Sequence, residues 1–137
     1  MKWTLRNVSK HYEKYKTVEE LQVGLGLSSK AATMDWIKKN VPLESYYQKK
    51  IIQYLRQRFS NAVVWKETNG VYCSMNGIPD ISMVKDGKYY GFEVKRPFIG
   101  KLSAIQEATI ATLRAAGAKV YVVTYISDIN EALNLQG

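Results

Sequence analysis

The clearest alternation of apolar and polar positions lies between residues 81 and 95, where two β-rich runs flank the dipeptide Asp86-Gly87. That dipeptide favours a type I′ turn of two residues, so the pattern predicts a β-hairpin. In the second run Tyr90, Phe92 and Val94 point to one face, and the positions between them point to the other. The hairpin is therefore predicted to bury one face in a core and to carry polar groups on the other.

A helix is predicted from about Leu43 to Phe59, because Tyr47, Ile51 and Leu55 recur at the spacing of a buried helical stripe. Glu44 falls on the same stripe, where a carboxylate without a partner is costly. Two interpretations of Glu44 stay open at this point. Either it has a partner in a site, or it complements the helix dipole from the first turn.

The remaining segments complete an α/β pattern. A strand is predicted at 62–67, a helix at 103–116 ended by Gly117, a nearly continuous apolar strand at 119–125, and a short helix at 128–135. The apolar strand is expected to be covered on both faces. Residues 71–77 fit no single element. The order helix, three strands, helix, strand, helix predicts an α/β sandwich around a small mixed sheet.

Residues 1–40 contain only helical patterns and are interpreted as an extension to a main domain at 41–137. Thr17 begins a capping-box pattern, and Ser28 or Ser29 is the expected N-cap of a second helix. A glycine-containing break between two helices resembles a helix-turn-helix, whose second helix could enter a DNA groove. A helical appendage that packs on the main domain or on a partner explains the pattern equally well.

Composition narrows the classes of function. The chain has 137 residues, a formal charge of +8, one Cys and one His, so an internal disulfide is excluded and the Cys/His spacing of a zinc knuckle cannot occur. The positive charge favours binding to a polyanion such as nucleic acid. An amphipathic membrane helix is disfavoured because the cations are spread over every segment. No apolar run has the length of a membrane span and the amino terminus lacks a signal-peptide pattern, so we expect an intracellular protein without a membrane partner.

The predicted hairpin also brings candidate catalytic groups together. With Lys85 opposite Lys88, counting outward along both strands places Asp80 opposite Glu93, with Cβ atoms about 4.5–5.5 Å apart. Lys95 lies on the same face. Two adjacent carboxylates, with the Val94 carbonyl as a further ligand, suit a hard divalent cation, and an ammonium could orient a water molecule. An exposed Glu-x-Lys ion pair with no chemical role is the alternative from spacing alone.

Four segments carry a family resemblance: Gly77-Ile-Pro-Asp80, Glu93-Val-Lys95-Arg96-Pro97, Lys101-Leu-Ser103 and Gln106. Together they resemble the VRR-NUC (virus-type replication-repair nuclease) family of the PD-(D/E)xK nuclease superfamily. The resemblance runs from about Leu43 to Val123, and residues 1–40 lie outside it. It implies a restriction-endonuclease-like fold and Mg²⁺- or Mn²⁺-dependent cleavage of DNA, often at branched or flapped structures.

The resemblance also implies roles for individual residues. Asp80 and Glu93 match the metal-binding acids, Lys95 the catalytic lysine, and Glu44 the acidic residue of the first helix. Gln106 matches a motif glutamine that positions water, metal or phosphate, although Ser103 to Gln106 is also a capping-box pattern.

Further positions are implied to contact DNA. These are Lys66 and Asn69 near the site, and Arg96, Lys101 and Ser103 along the phosphate path. Ordinary exposure to solvent explains Lys66, Asn69, Arg96 and Lys101 nearly as well. Small stand-alone relatives resemble junction resolvases, which must cut two symmetric strands, so a homodimer is expected.

The leading hypothesis is therefore a structure-selective DNA endonuclease, of flap or Holliday-junction type, acting in replication, repair or recombination. The alternative is a non-catalytic DNA-binding regulator that uses the amino-terminal helices. A restriction-type enzyme with a fixed recognition sequence is a third possibility.

Overall fold

The computed structural model describes residues 12–68 and 75–135. The chain forms two compact units. The first contains the described part of Met1–Pro42 together with Arg96–Ile99, and the second contains Leu43–Lys95 and Gly100–Gly137. Residues 69–74, which include Asn69 and most of the unassigned segment 71–77, lie outside the described residues.

The first unit is helical, as its sequence predicts. Helix α1 (Val18–Leu25) begins after Thr17, whose Oγ1 accepts from the Glu20 amide, and ends at Gly26 with a left-handed φ of 68°. Helix α2 (Lys30–Asn40) is capped by Ser29. The core of this unit is formed by Tyr12, Leu21, Ile37 and Val41, with Phe98 and Ile99 packed against it.

The second unit has the predicted order of elements. These are α3 (Glu44–Arg58), β1 (Val63–Lys66), β2 (Ile81–Lys85), β3 (Lys88–Val94), α4 (Ala104–Ala115), β4 (Lys119–Val123) and α5 (Ile126–Ala132). The sheet order is β1-β2-β3-β4, with antiparallel pairing up to β3 and parallel pairing between β3 and β4. The small mixed sheet predicted from the sequence is thus confirmed.

The hairpin of β2 and β3 has the predicted turn and register. Asp86 and Gly87 both have positive φ, 52° and 74°, as a type I′ turn requires. Lys85 pairs with Lys88, and Ile81 pairs with Phe92. Counting one further step places Asp80, which directly precedes β2, beside Glu93.

One face of the sheet packs on α3 and forms the main core. Its fully buried members include Ile51 and Leu55 from α3 and Met83, Phe92 and Val94 from the hairpin. Each buried position of β3 in this group is one that the alternation assigned to the apolar face. The apolar stripe of α3 therefore meets the apolar face of the hairpin.

Two sequence expectations differ from the structure. Strand β4 was expected to be covered on both faces, but it is an edge strand and Val122 is 44% exposed. Helix α5 begins at Ile126, earlier than the predicted Asp128. The reason is that Asp128 accepts from the amides of Thr124 and Tyr125, and so caps the helix from inside its first turn. Within the described ranges, no helix combines the length and apolar content needed to cross a bilayer.

Candidate active site

Asp80 is held in place from both neighbouring strands. Its side-chain Oδ2 accepts from the Val94 amide at 2.8 Å, and its backbone carbonyl accepts from the Glu67 amide at 2.8 Å. The first bond ties the carboxylate to the end of β3, where Glu93 lies. The hairpin therefore fixes the position and the direction of the Asp80 carboxylate.

Glu93 is the most unusual group of the site, because its carboxyl is buried with only 1% of the residue exposed. Its Oε1 accepts from Gln106 Nε2 at 2.9 Å and lies 3.6 Å from Lys95 Nζ. Its Oε2 is buried and no described residue donates a hydrogen bond to it, while the protonated form of the carboxyl can donate to the neighbouring Asp80 carboxylate. Burial, followed by the charge of the Asp80 carboxyl, raises the pKa of Glu93 to about 8, against the opposing effect of Lys95.

Lys95 directs its ammonium into the same cluster. Its Nζ donates to Gln106 Oε1 at 2.9 Å and lies 4.0 Å from Glu44 Oε1. The side chain is only 13% exposed. The exposed ion pair that spacing alone allowed is therefore not what forms, since both Glu93 and Lys95 are largely buried.

The position of Glu44 is compatible with both interpretations that the sequence left open. It lies in the first turn of α3, where a carboxylate complements the helix dipole, and it also approaches Lys95. Its side chain is 41% exposed. Partial burial raises the pKa of Glu44, Lys95 counteracts this, and the Asp80 carboxyl adds to the increase.

The Gln106 side chain contacts both Glu93 and Lys95, and it also caps α4. Its Oε1 accepts from the Ser103 amide at 3.0 Å, and its own amide donates to Ser103 Oγ at 3.1 Å. The capping box and the contacts with Glu93 and Lys95 exist at the same time. Ser103, predicted to contact DNA, forms the cap that orients Gln106.

The donor set fits a hard divalent cation. Asp80 and Glu93 supply two converging carboxylates, and Glu93 Oε2 is an acceptor without a donor. Mg²⁺ takes one or two carboxylates and completes its octahedron with water and phosphate oxygens. In the described part of the chain, no group of three or more His, Cys, Asp or Glu side chains could hold an ion together. Glu44 approaches the cluster through Lys95 instead.

The residues implied to contact DNA are not brought together. Lys66 ends β1 and is exposed, and Lys101 is an exposed residue before α4. Asn69 lies outside the described residues.

The Arg96 guanidinium, which was predicted to contact phosphate, binds backbone carbonyls in this structure. It donates to the carbonyls of Ile37, Val41 and Pro42 at 3.0, 2.6 and 3.1 Å, and to that of Lys38 at 3.3 Å. A cation at this position complements the carboxyl end of α2, where the Ile37 carbonyl also accepts from the Val41 amide at 2.9 Å.

Gln48 was not among the predicted site residues. This polar residue of α3 is only 8% exposed, one turn after Glu44. Its signal was available, because Gln48 stands beside Tyr47 on the stripe that also contains Ile51. A polar side chain on a buried stripe requires a polar partner or a polar cavity.

Comparisons with known proteins support the fold. No family model and no curated protein matches the chain. A solved VRR_NUC domain is 26% identical with a TM-score of 0.52, over 66% of this chain and 94% of that domain. Hjc from Archaeoglobus fulgidus, a Holliday junction resolvase, is 20% identical with a TM-score of 0.43, over 59% of this chain and 67% of Hjc. The similarity to Hjc is too low to carry an argument. The chain has the restriction-endonuclease-like fold of a VRR-NUC domain, and its resemblance to that family of the PD-(D/E)xK nuclease superfamily is confirmed.

Proposed function

We propose that this protein is a divalent-metal-dependent DNA endonuclease that hydrolyses phosphodiester bonds. The observation that carries the proposal is the buried Glu93 carboxyl. It has one oxygen without a hydrogen-bond donor among the described residues and a pKa raised to about 8 beside the Asp80 carboxyl. Burying such a group is costly unless a cation compensates it. A nuclease of this fold needs such a cation at this position.

Asp80 and Glu93 would hold Mg²⁺ or Mn²⁺, with the Val94 carbonyl as a further ligand and Glu44 close enough to act through water. The bound ion supplies Lewis-acid stabilisation of the phosphoryl oxygens and lowers the pKa of a coordinated water. We assign the metal ligands from the donor chemistry of these residues together with the family resemblance.

Lys95 and Gln106 are the residues of the cluster that would act without binding the metal ion. The Lys95 ammonium, held by Gln106 Oε1 at 2.9 Å, is placed to orient the attacking water and to stabilise negative charge on the phosphoryl group. The Gln106 amide keeps Glu93 Oε1 in a fixed direction. Because each group is held by another, the cluster is organised before substrate arrives.

We further propose that the substrate is branched DNA, such as a flap or a four-way junction, in replication, repair or recombination. Cutting two symmetric strands would require two active sites, so a homodimer belongs to this part of the proposal. The family resemblance and the charge of +8 support it. Light scattering across a range of concentrations tests it, and a protein that stays monomeric with junction DNA would contradict it.

The test of the central proposal is cleavage of labelled duplex, flap and four-way junction DNA in Mg²⁺, Mn²⁺ or EDTA. Wild type should cut in Mg²⁺ or Mn²⁺ and not in EDTA, and Asp80→Asn should lose at least about 100-fold in rate, as when a group that stabilises transition-state charge is removed. Asp86→Asn is the matched control, because Asn-Gly also favours the type I′ turn. Absence of cutting on every DNA, or equal cutting by Asp80→Asn, would disprove the proposal.

The non-catalytic regulator makes a different prediction. It would bind DNA tightly in EDTA through exposed cations of α2, such as Lys30 and Lys38. Deleting residues 1–40 is a poor test, since the deletion also removes the Ile37 and Lys38 carbonyls that Arg96 contacts. The double variant Lys30→Gln/Lys38→Gln is the better test. Loss of sequence-selective binding in this variant, with no cleavage by wild type, would favour the regulator.

A further inference from the structure

A groove of about 430 Å³ lies between α3 and β1, outside the catalytic cluster. We call it the α3 groove. Six of its lining residues come from α3 and one from β1: Ser45, Gln48, Lys49, Ile52, Gln53, Arg56 and Lys66. None of the four residues of the catalytic cluster, Asp80, Glu93, Lys95 and Gln106, lines it.

The α3 side of the groove is one continuous face of the helix. Its members recur at intervals of three and four residues, which places them on one side of an α-helix. From Ser45 to Arg56 this face extends for about 16 Å at 1.5 Å per residue. The lining thus runs along about three turns of helix, a length that a segment of a polymer can follow.

The lining is cationic and contains no carboxylate. Lys49 and Lys66 are exposed, and neither forms an ion pair with a described residue. The nearest carboxylate along β1, that of Glu67, is engaged elsewhere, because it accepts from Ser82 Oγ and from Trp65 Nε1. The three cations of the lining, Lys49, Arg56 and Lys66, thus form no ion pair with a carboxylate of the described ranges.

The groove also offers directional hydrogen-bond donors. Gln48 lines it while being 8% exposed, and no described residue hydrogen-bonds its side-chain amide. Arg56 donates one Nη2 bond to the Val64 carbonyl at 2.9 Å, which leaves its remaining N–H groups as donors. Cations combined with amide and guanidinium donors are the groups that recognise phosphate oxygens.

One end of the groove is formed by residues next to those of the site in the chain and in the sheet. Ser45 directly follows Glu44 on α3. Lys66 pairs with Ile81, the neighbour of Asp80, and the next amide in the chain, that of Glu67, donates to the Asp80 carbonyl. Both walls of the groove therefore begin beside residues of the site.

We infer that the α3 groove binds the phosphates of a DNA strand next to the phosphodiester that is cut. This inference rests on the proposed function for the choice of DNA as the ligand. From Lys49 to Arg56 the helix rises about 10 Å, which corresponds to about three nucleotides at 3.4 Å per nucleotide along a duplex strand. A strand bound in the groove would therefore lie at a constant distance from the phosphodiester that is cut.

The test is binding of a labelled DNA duplex in EDTA, measured by fluorescence anisotropy over a series of salt concentrations. The variant is Lys49→Gln/Lys66→Gln, and its matched control is Lys88→Gln/Lys119→Gln, which removes two exposed cations elsewhere in the same unit. Arg56 is left unchanged because it also bonds the Val64 carbonyl. The magnitude of the slope of log K against log salt should decrease by about 1.8 in the groove variant, at 0.9 per phosphate contact. It should stay unchanged in the control.

Equal slopes for the groove variant and wild type would overturn the inference, as would equal losses in the two double variants. No DNA binding by wild type, or tighter binding of an RNA duplex of the same sequence, would also overturn it. Cleavage in Mg²⁺ distinguishes the two proposals. If wild type cuts DNA and the slope of the groove variant is unchanged, the nuclease proposal stands and the groove inference is wrong. If the slope of the groove variant is reduced and wild type does not cut, the groove is a DNA-binding site and the nuclease proposal is wrong.

Discussion

Gln106 donates its side-chain N–H to the buried carboxyl of Glu93, with 2.9 Å between Nε2 and Oε1. The oxygen of the same amide accepts from Lys95, so one side chain sets the positions of a carboxyl group and an ammonium group. Amides that hold metal ligands and catalytic groups are commonly worth 10- to 100-fold in activity or metal affinity, in order-of-magnitude terms.

Gln106→Leu should therefore reduce the cleavage rate by about 10- to 100-fold while the protein remains folded. The physical reason is that Lys95 and Glu93 lose their common partner. Initial rates in Mg²⁺ with a DNA that wild type cuts provide the measurement. Ser103→Ala is the control, since it removes the cap at a cost of about 1 kcal/mol of stability but leaves the bonds from Gln106 to Glu93 and Lys95. Equal rate losses in both variants would show that Gln106 acts only as a cap residue.

The pKa of Glu93 predicts a pH dependence of stability for the metal-free protein. Its folded value of about 8 is above the ordinary 4.5, so the folded state retains a proton that the unfolded state releases. The free energy of unfolding should therefore decrease as pH rises from about 5 to about 8, and remain lower above that range. Urea unfolding in EDTA at several pH values measures this effect.

Glu93→Gln is the matched variant, because a neutral amide has no proton to release. Its free energy of unfolding should change less between pH 5 and pH 8 than that of wild type, and an equal change in both proteins would contradict the assignment. The same linkage predicts that metal binding to wild type releases protons below about pH 8. Calorimetry in two buffers of different ionisation enthalpy detects that release.

Two glycines of the hairpin should respond differently to alanine. Gly87 has a φ of 74° and open space around its Cβ position, so Gly87→Ala should cost about 1–2 kcal/mol of stability through backbone strain alone. A Cβ at Gly91 would lie 2.7 Å from Pro79 Cγ, in the residue before Asp80. Gly91→Ala should therefore displace Asp80 and reduce cleavage as well as stability.

Thermal unfolding together with cleavage rates measured well below the unfolding temperature separates these two effects. Gly87→Ala should keep the wild-type rate under those conditions. An equally large rate loss in Gly87→Ala would mean that Gly91 acts only through stability.

Arg96 predicts a stability effect in the first unit. Arg96→Ala removes the Arg96 donor from the carbonyls of Lys38, Val41 and Pro42, whereas the Ile37 carbonyl keeps its bond from the Val41 amide. This loss should cost about 2 kcal/mol, as for hydrogen bonds to charged groups. Arg96→Lys keeps the charge but lacks the planar fork, so it should recover only part of the loss. Hydrogen exchange in α2 should become faster in the order wild type, Lys, Ala. Full recovery by Arg96→Lys would show that charge alone matters.

Much of the fold was predictable because local rules and packing agree. The period of two in β3 and the stripe of Tyr47, Ile51 and Leu55 each identify the face that is buried. The dipeptide Asp86-Gly87 then fixes the register, and with it the pairing that brings Asp80 beside Glu93. These steps depend on residues close together in the chain.

The remainder depends on contacts that no local pattern encodes. The exposure of Val122 follows from the position of β4 at the sheet edge, and the carbonyl contacts of Arg96 follow from residues distant in sequence. Gln106 was assigned from the family resemblance, and the sequence did not show that one amide can complete a cap and reach Glu93 together. Burial of Glu93 is likewise a property of the assembled sheet and of α4.

The two-residue turn at Asp86 and Gly87 also affects the order in which the site assembles. Hairpins close in about 1–10 µs, so Asp80 and Glu93 meet as soon as β2 and β3 pair, while Glu93 is still hydrated. Glu44 and Gln106 come from α3 and α4, and their contacts form only when those helices dock. We therefore expect dehydration of the Glu93 carboxyl, the main cause of its raised pKa, to come late in folding, when Asp80 is already beside it.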